Sequence, residues 1–277
     1  MKYIKLVALI TIACCALFFI FSKNNESNEY PHFSDIVESP LKVLYISISG
    51  TTDATHWYVN YIELNSVENT PLEEDFEISP FSKKDLKFFE KLELDALYIS
   101  WDKWVEWNNV RGVINHLPKG KTLYLSSCPG IDLSFLQSNT SYSEIHFSNG
   151  IDVSSFQPNN SISSIHFASC FNIPWAKVIA CSNLDTISYH TGEILPSNVF
   201  VIISESSVNC LRYYHPYDLW DQTDLEDRLS KSLYPPYQIQ STSEVPKWLY
   251  EYWNYDDVCS FFSREDRIIE LFWLMNN

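Results

Sequence analysis

Histidine, tyrosine and serine side chains recur between apolar residues in the middle of this 277-residue chain. Three histidines, His146, His166 and His190, lie in short phrases in which apolar and polar residues alternate. Clustered imidazoles can bind a transition metal or change their charge near neutral pH. With neighbouring tyrosines they can also form a polar, aromatic surface for a protein or peptide. The chemistry to be weighed is therefore a metal site, a pH-sensitive patch or an interaction surface.

The phrases that carry these residues repeat at a regular spacing. Each has the form apolar-x-apolar-x-x-Cys or Gly, at residues 123–128, 145–150, 165–170 and, more loosely, 187–192. Their starts at 123, 145, 165 and 187 lie 22, 20 and 22 residues apart. A period of this length is typical of a solenoid, in which each repeat supplies one strand and a return segment. Residues 97–102 fit the phrase as a first, irregular repeat.

If the phrases stack as parallel strands, their polar residues share one face of the sheet. Strands lie about 4.8 Å apart, which places His146 beside His166, with His190 one strand further on and one position across. We predict a ligand-binding stripe on this face. Its residues are Tyr98, Tyr124, Ser126, His146, Ser148, His166, Ser188 and His190.

Metal binding and catalysis have little support in the sequence. No Asp, Glu or Cys is expected on the predicted face within the repeats, so we predict no metal ligands and no cofactor. The chain has neither GxSxG nor HExxH, and its 6 glycines include no Gly-rich phosphate loop. No catalytic residue is assigned. A hydrolase with His146 and His166 at its centre is the alternative, while Asp132 and Asp152 are expected to cap helical turns.

The repeat resembles that of the leucine-rich repeat family. The family phrase LxxLxLxxNxL has Asn or Cys at the position of Cys128, Gly150, Cys170 and Gly192, and its next apolar residue matches Ile131, Ile151, Ile173 and Leu195. The resemblance covers about residues 94–195. It departs from the family pattern because Ile and Phe often replace Leu, Gly twice replaces the Asn or Cys, and the repeat length varies. It implies a parallel sheet with a concave ligand face; the alternative is an ordinary α/β or β-rich domain with similarly spaced strands.

Composition and charge narrow the class of partner. Aromatic residues make up 16% of the chain, which is typical of a folded protein rather than a disordered one. The net charge of −16 argues against binding to nucleic acid or anionic lipid, and is compatible with a neutral or basic partner. We expect a protein or peptide ligand and no nucleic acid. A toxin-neutralising, immunity-type protein is a further alternative, which rests on charge alone.

The N-terminal segment is apolar from residue 6 to residue 21 and predicts a transmembrane helix. Lys2 and Lys5 precede this run, so the positive-inside rule places the N-terminus in the cytoplasm and the body outside. We predict a single-pass signal anchor with an extracytoplasmic body, which would be periplasmic in a bacterium. A cleaved signal peptide and lipidation at Cys14 are the alternatives.

The expected fold class is α/β: a short solenoid like a leucine-rich repeat, with a parallel sheet, a helical C-terminal cap and an N-terminal transmembrane helix. The predicted parts are an anchor at 1–22, a linker at 23–40, an N-terminal α/β cap region at 41–93, the solenoid at 94–206 and the C-terminal cap at 207–277. Strands are expected at 41–48 and 56–64, which pair, and at 199–203. Helices are expected from Ser82 and at 218–233, 245–255 and 263–275.

Cys128 and Cys170 are interpreted as buried apolar side chains. Cys128 and Cys170 lie two repeats apart, about 10 Å if strands are spaced at about 4.8 Å, which is too far for a disulfide. A bond between Cys210 and Cys259 remains open at this stage.

Overall fold

The computed structural model describes residues 30–37, 40–51, 54–63, 75–190, 195–215, 237–239, 249, 253–264 and 266–273. The predicted anchor at 1–22, the first part of the predicted linker, the predicted helix at 218–233 and most of the predicted helix at 245–255 lie outside these residues. Within them, no helix combines the length and the apolar character that a membrane span requires.

The described residues form alternating strands and short helices. The strands are β1 Leu41–Gly50, β2 Thr55–Glu63, β3 Phe76–Ile78, β4 Glu93–Trp101, β5 Lys119–Ser126, β6 Glu144–Ser148, β7 Ser164–Ala168, β8 Thr186–His190, β9 Cys210–His215, β10 Tyr237–Ile239 and β11 Ile268–Trp273. The helices are α1 Phe33–Ile36, α2 Lys83–Phe89, α3 Trp107–Ile114, the 3-10 helix Leu133–Gln137, α4 Trp175–Val178, α5 Ser197–Ser204 and α6 Tyr255–Phe261.

All the described strands belong to one sheet, in the order β10-β11-β9-β8-β7-β6-β5-β4-β1-β2-β3. The strands from β1 through β4–β9 to β11 are mutually parallel. Antiparallel pairs occur at the two ends, where β2 and β3 extend one edge and β10 the other. The α/β class and the mostly parallel sheet agree with the sequence-based prediction, as does the pairing of the strands at 41–48 and 56–64.

The repeated phrases align with one another without a shift in register. Leu123 of β5 pairs with Ile145 of β6, which pairs in turn with Ile165 of β7. The series continues through Ile187 of β8 to Leu211 of β9. A slip of one residue would turn these buried side chains to the opposite face, so burial fixes the register.

The turns that follow three successive strands also repeat. Ser127, Asn149 and Ser169 occupy the same position and all have left-handed backbone, with φ of 48°, 55° and 54°. Each donates its backbone N–H to the next strand's last carbonyl: Ser127 to Ser148, Asn149 to Ala168 and Ser169 to His190. The hydrogen-bond ladder thus continues from the strands into the turns.

The hydrophobic core lies on one face of the sheet. Strand residues such as Leu97, Leu125 and Phe167 belong to the same buried cluster as Val110 of α3 and Phe200 of α5. The helices pack there because each presents apolar residues at helical spacing, as Val110, Val113 and Ile114 do on α3. The opposite face, here called the open face, carries the polar residues of the repeated phrases.

Residues 199–203 form part of helix α5, so the prediction of a strand there is wrong. The buried residues Val199, Phe200 and Ile203 are one and then three positions apart, a spacing that places them on one face of a helix. Two parallel neighbours, β8 and β9, also need a crossover connection, and this helix lies within it.

The C-terminal region adds strands to the sheet, whereas the prediction was a helical cap over 207–277. The helix expected at 263–275 is wrong, because β11 occupies Ile268–Trp273 and pairs with β9. A charged start and an apolar run predict a capped helix, but Arg267, Ile268, Ile269 and Glu270 alternate between buried and half-buried, as strand residues do.

The predicted linker ends in the core. Phe33 of α1 is fully buried and stacks against Phe81, with ring centroids 4.7 Å apart. The helix expected from Ser82 is confirmed as α2: the Ser82 hydroxyl accepts from the Asp85 N–H, and the Asp85 carboxylate accepts from the Ser82 N–H.

The described cysteines are free thiols, including Cys210 and Cys259. Cys128 is buried and Cys170 half-buried, and burial raises the pKa of the Cys170 thiol to about 11.

Candidate functional site

All eight residues of the predicted stripe lie on the open face. The alternation within each strand puts them there: on β5, Leu123 and Leu125 are buried while Tyr124 and Ser126 are half-buried. The stripe occupies five neighbouring strands: Tyr98 on β4, Tyr124 and Ser126 on β5, His146 and Ser148 on β6, His166 on β7, and Ser188 and His190 on β8.

Most of these residues form one straight row across the sheet, which we call the central row. Each member pairs in register with the next: Asn60, Tyr45, Tyr98, Tyr124, His146, His166, Ser188, Arg212 and Glu270. The sequence-based prediction contained only the five members from Tyr98 to Ser188. Tyr45 could have been found, since residues 44–47 and 97–100 have the same alternation, Leu-Tyr-Ile-Ser.

A second row lies beside the central row, toward the C-terminal ends of the strands, and we call it the serine row. It contains Ser47, Ser100, Ser126, Ser148, Ala168 and His190. As predicted, His190 lies beside Ala168 rather than beside His166. The serines of this row place small hydroxyl side chains in the middle of the open face. The larger rings of the central row therefore stay accessible along one side.

The rings of the central row stack across five strands. The ring centroids are 4.4 Å apart for Tyr45 and Tyr98, and 3.9 Å apart for Tyr98 and Tyr124. The stack continues from Tyr124 to His146 at 4.2 Å and from His146 to His166 at 5.0 Å. Because strand spacing imposes these distances, each inner ring has both faces covered and presents its edge outward.

His146 is paired with the carboxylate of Glu144. Its Nε2 lies 2.8 Å from Glu144 Oε1, and Glu144 is two residues earlier on the same strand and therefore on the same face. The expectation that no acidic residue shares the face is wrong, because Glu144 directly precedes the repeated phrase, which starts at Ile145. Burial opposes ionisation of Glu144, but the hydrogen bonds from His146 and Thr122 and the positive charges of His146 and Lys121 together outweigh it and lower the pKa of the carboxyl group.

His166 stands between the charged groups of the open face and is held neutral. Burial lowers the pKa of His166 to about 4, helped by the positive charges of His146, His190 and Arg212 and opposed by Glu144. Burial also lowers the pKa of His190, whose ring stacks on Tyr214 of β9 with centroids 4.9 Å apart.

The far end of the central row is an ion pair. Arg212 Nε lies 2.5 Å from Glu270 Oε2, between the neighbouring strands β9 and β11. Ser188, the next member toward the histidines, is only 3% exposed. Arg212 and Glu270 lie beyond the repeated phrases that defined the predicted stripe, and Glu270 lies in the segment predicted to be helical.

The other end of the central row lies in a cavity of about 330 Å3, which we call the tyrosine groove. Its polar lining residues are Tyr45, Ser47, Tyr58, Asn60, Asp75, Tyr98, Ser100, Tyr124 and Ser126. Asn60 Nδ2 donates to Asp75 Oδ1 over 2.9 Å, which orients that carboxylate. Three stripe residues, Tyr98, Tyr124 and Ser126, thus belong to the groove.

The described residues contain neither a metal cluster nor a serine–histidine pair. No group of three or more His, Cys, Asp or Glu side chains in the described part of the chain could hold a metal ion. Among the same residues, the side-chain hydrogen bond of His146 goes to Glu144 and not to a serine hydroxyl. Asp132 and Asp152 accept from the backbone N–H of Ser134 and Ser154, as expected of capping residues.

Comparison of the chain with protein-family models, curated proteins and solved structures found no match.

Proposed function

We propose that this protein is a membrane-anchored binding protein that recognises a basic protein or peptide through the open face of its sheet. The observation that carries the proposal is the central row: nine polar or aromatic side chains in register, on the face of the sheet opposite the buried core. Tyrosine and arginine are enriched at protein interfaces, where they combine apolar area with hydrogen bonding.

The charge of the open face supports a basic ligand. Four carboxylates lie on or beside its strands, at Asp75, Glu77, Glu144 and Glu270. Of these, Glu270 is paired with Arg212, and the charge of Lys121 acts on Glu144. The net charge of −16 adds a long-range attraction for cations. A toxin-neutralising role is the version of this function that the charge favours, since the target would then be a basic protein.

The repeated backbone pattern supports a short solenoid of the leucine-rich repeat type. Equivalent residues pair in register from β4 to β9, and equivalent turns after β5, β6 and β7 share the left-handed position. In that family the strands line a concave ligand-binding surface, and in this chain the corresponding surface is the open face.

Anchoring and orientation complete the proposal and rest on the sequence of residues 1–22. The body would lie outside the cytoplasm, where a membrane-impermeant amine reagent reaches its exposed lysines. Lys84 and Lys119, with side chains 72% and 75% exposed, are suitable reporters. Labelling in intact cells is expected; labelling only after the membrane is opened would refute the orientation.

The binding function is tested by capture with the full chain in mild detergent. Wild-type protein is compared with Tyr124→Ala/His146→Ala, which removes the centre of the central row, and with Ser182→Ala/Glu205→Ala, which changes two exposed residues outside it. We expect the partner to be retained by the wild type and the control and lost from the row variant. If all three forms retained the partner equally, the open face would not be the binding surface.

A further inference from the structure

The tyrosine groove offers ring edges rather than ring faces to a ligand. Tyr98, at its centre, has Tyr45 stacked on one side at 4.4 Å and Tyr124 on the other at 3.9 Å. With both faces covered, Tyr98 contributes its hydroxyl group and not a stacking surface. A sugar ring or a cation that needs an open aromatic face therefore gains little from this ring.

The polar groups that remain are mostly hydroxyls and one carboxylate. Ser47, Ser100 and Ser126 line one side of the groove, and the Asp75 carboxylate lies in it without a Lys, Arg or His among the lining residues. Asn60 holds Oδ1 of Asp75 and so fixes the direction of the carboxylate. These hydroxyl and carboxylate groups provide hydrogen-bond acceptors and a negative charge. They therefore match a cation that carries several hydrogen-bond donors.

The size of the groove fits one side chain rather than a folded surface. Its volume of about 330 Å3 is at the lower end of the usual range for small-ligand pockets. It opens on the same face as the central row, so a peptide lying along the row could place a side chain in it.

We propose that the tyrosine groove binds the side chain of an arginine or lysine of the basic ligand, with Asp75 as the charge partner and the Tyr98 hydroxyl as a hydrogen-bonding group. This assignment rests on the proposed binding function and names the chemical group that the site selects. The groove acts as the anchor pocket at one end of the row, and the histidines and Arg212 contact the rest of the ligand.

The test uses three hexapeptides as probes for the full chain in mild detergent. The first alternates arginine and glycine, the second replaces each arginine by neutral citrulline, and the third replaces it by glutamate. Calorimetric titration is expected to show binding of the arginine peptide, at least tenfold weaker binding of the citrulline peptide, and none of the glutamate peptide. Equal affinity for the arginine and citrulline peptides would overturn the proposal.

Matched variants separate the groove from general electrostatic attraction. Asp75→Asn removes the groove carboxylate, and Asp95→Asn removes the same charge from an exposed position on β4 outside the lining. We expect Asp75→Asn to lower the affinity for the arginine peptide by about tenfold and Asp95→Asn to leave that affinity nearly unchanged. Tyr98→Phe keeps the ring stack and should weaken binding by about threefold. An equal loss in Asp75→Asn and Asp95→Asn would overturn the proposal, because it would assign binding to overall charge.

The result is distinguishable from failure of the proposed function. If Asp75→Asn still captures the natural partner as well as the wild type while the central-row variant does not, the groove assignment fails and the binding function stands. If neither variant affects capture, both fail. Because Asp75 is exposed, Asp75→Asn is expected to fold, and an unchanged melting temperature verifies this.

Discussion

Glu144 Oε1 lies 2.8 Å from His146 Nε2, so a carboxylate and an imidazole two residues apart on β6 form a pair in the middle of the open face. The pair has a measurable linkage to folding. The pKa of Glu144 is lower in the folded protein than its ordinary value, so the carboxylate stabilises the fold above that ordinary value. This contribution is lost as the pH falls through the lowered pKa.

Glu144→Gln should therefore reduce the free energy of unfolding by about 0.5–1 kcal/mol at pH 7, a value kept small because the carboxylate is partly solvated. Urea unfolding at pH 7 and at pH 3 measures the difference, which should vanish at the lower pH. Glu93→Gln is the control, since Glu93 is 78% exposed and lies 3.8 Å from the Lys119 ammonium group. A loss that is independent of pH would contradict the linkage.

His166 predicts a separate loss of stability in acid. The pKa of His166 is about 4 in the folded protein, against an ordinary value of 6.5, so between these values the unfolded chain binds more protons than the folded one. Stability then rises with pH across this window and falls by up to about 3 kcal/mol on going from pH 6.5 to pH 4.

His166→Gln should remove most of that dependence, measured as the difference in unfolding free energy between variant and wild type at pH 6.5, 5 and 4. His116→Gln is the matched control, because His116 follows the end of α3, where its Nδ1 lies 2.8 Å from the Gly112 carbonyl oxygen, and its replacement leaves His166 and its neighbours intact. If the unfolding free energy of the wild type and of His166→Gln changed with pH at the same slope, His166 would take up its proton as readily in the folded state as in the unfolded state.

The two faces of β6 should respond differently to truncation. Phe147 is fully buried and stacks on Phe167 with centroids 5.7 Å apart, so Phe147→Ala should cost about 3–5 kcal/mol of unfolding free energy. The neighbouring substitution His146→Ala on the open face should cost less than about 2 kcal/mol. Denaturant unfolding of both variants measures the two losses of unfolding free energy. A larger loss from His146→Ala than from Phe147→Ala would reverse the assignment of the core and open faces.

The left-handed turn position offers a test of the repeat geometry. Ser169 is exposed and has φ of 54°, a conformation that costs a β-branched residue more than it costs serine. Ser169→Val should lower the free energy of unfolding by about 1–2 kcal/mol, while Ser169→Gly should leave it unchanged or raise it by up to about 1 kcal/mol. If valine and glycine proved equally tolerated, the turn after β7 would have another conformation.

The sequence predicted the middle of the sheet well and its margins poorly, for a physical reason. Buried Ile145 and Ile165 alternate with polar neighbours, and alternation alone determines which side chains share a face. It does not distinguish a short apolar helix from a strand, so the segment predicted as a strand at 199–203 is a helix, which buries Val199, Phe200 and Ile203.

One feature of the candidate site depends on tertiary context that no local pattern carries. The tyrosine groove needs Asp75 and Asn60, which lie far from Tyr98 in the sequence and reach it through β1 and β2. The pairing of Glu144 with His146, in contrast, follows from a local pattern, because residues two positions apart on β6 share a face; Glu144 lies one residue before the repeated phrase.

The most direct test of the central claim is photo-cross-linking from both faces of the sheet. A photoreactive amino acid is placed singly at Tyr124 or His146 on the open face, and at exposed Arg111 or Ser182 outside it, in the full chain in its native cells. We predict one partner cross-linked from the two open-face positions and not from the other two. Cross-links to a partner from positions 111 and 182, with none from positions 124 and 146, would contradict the account.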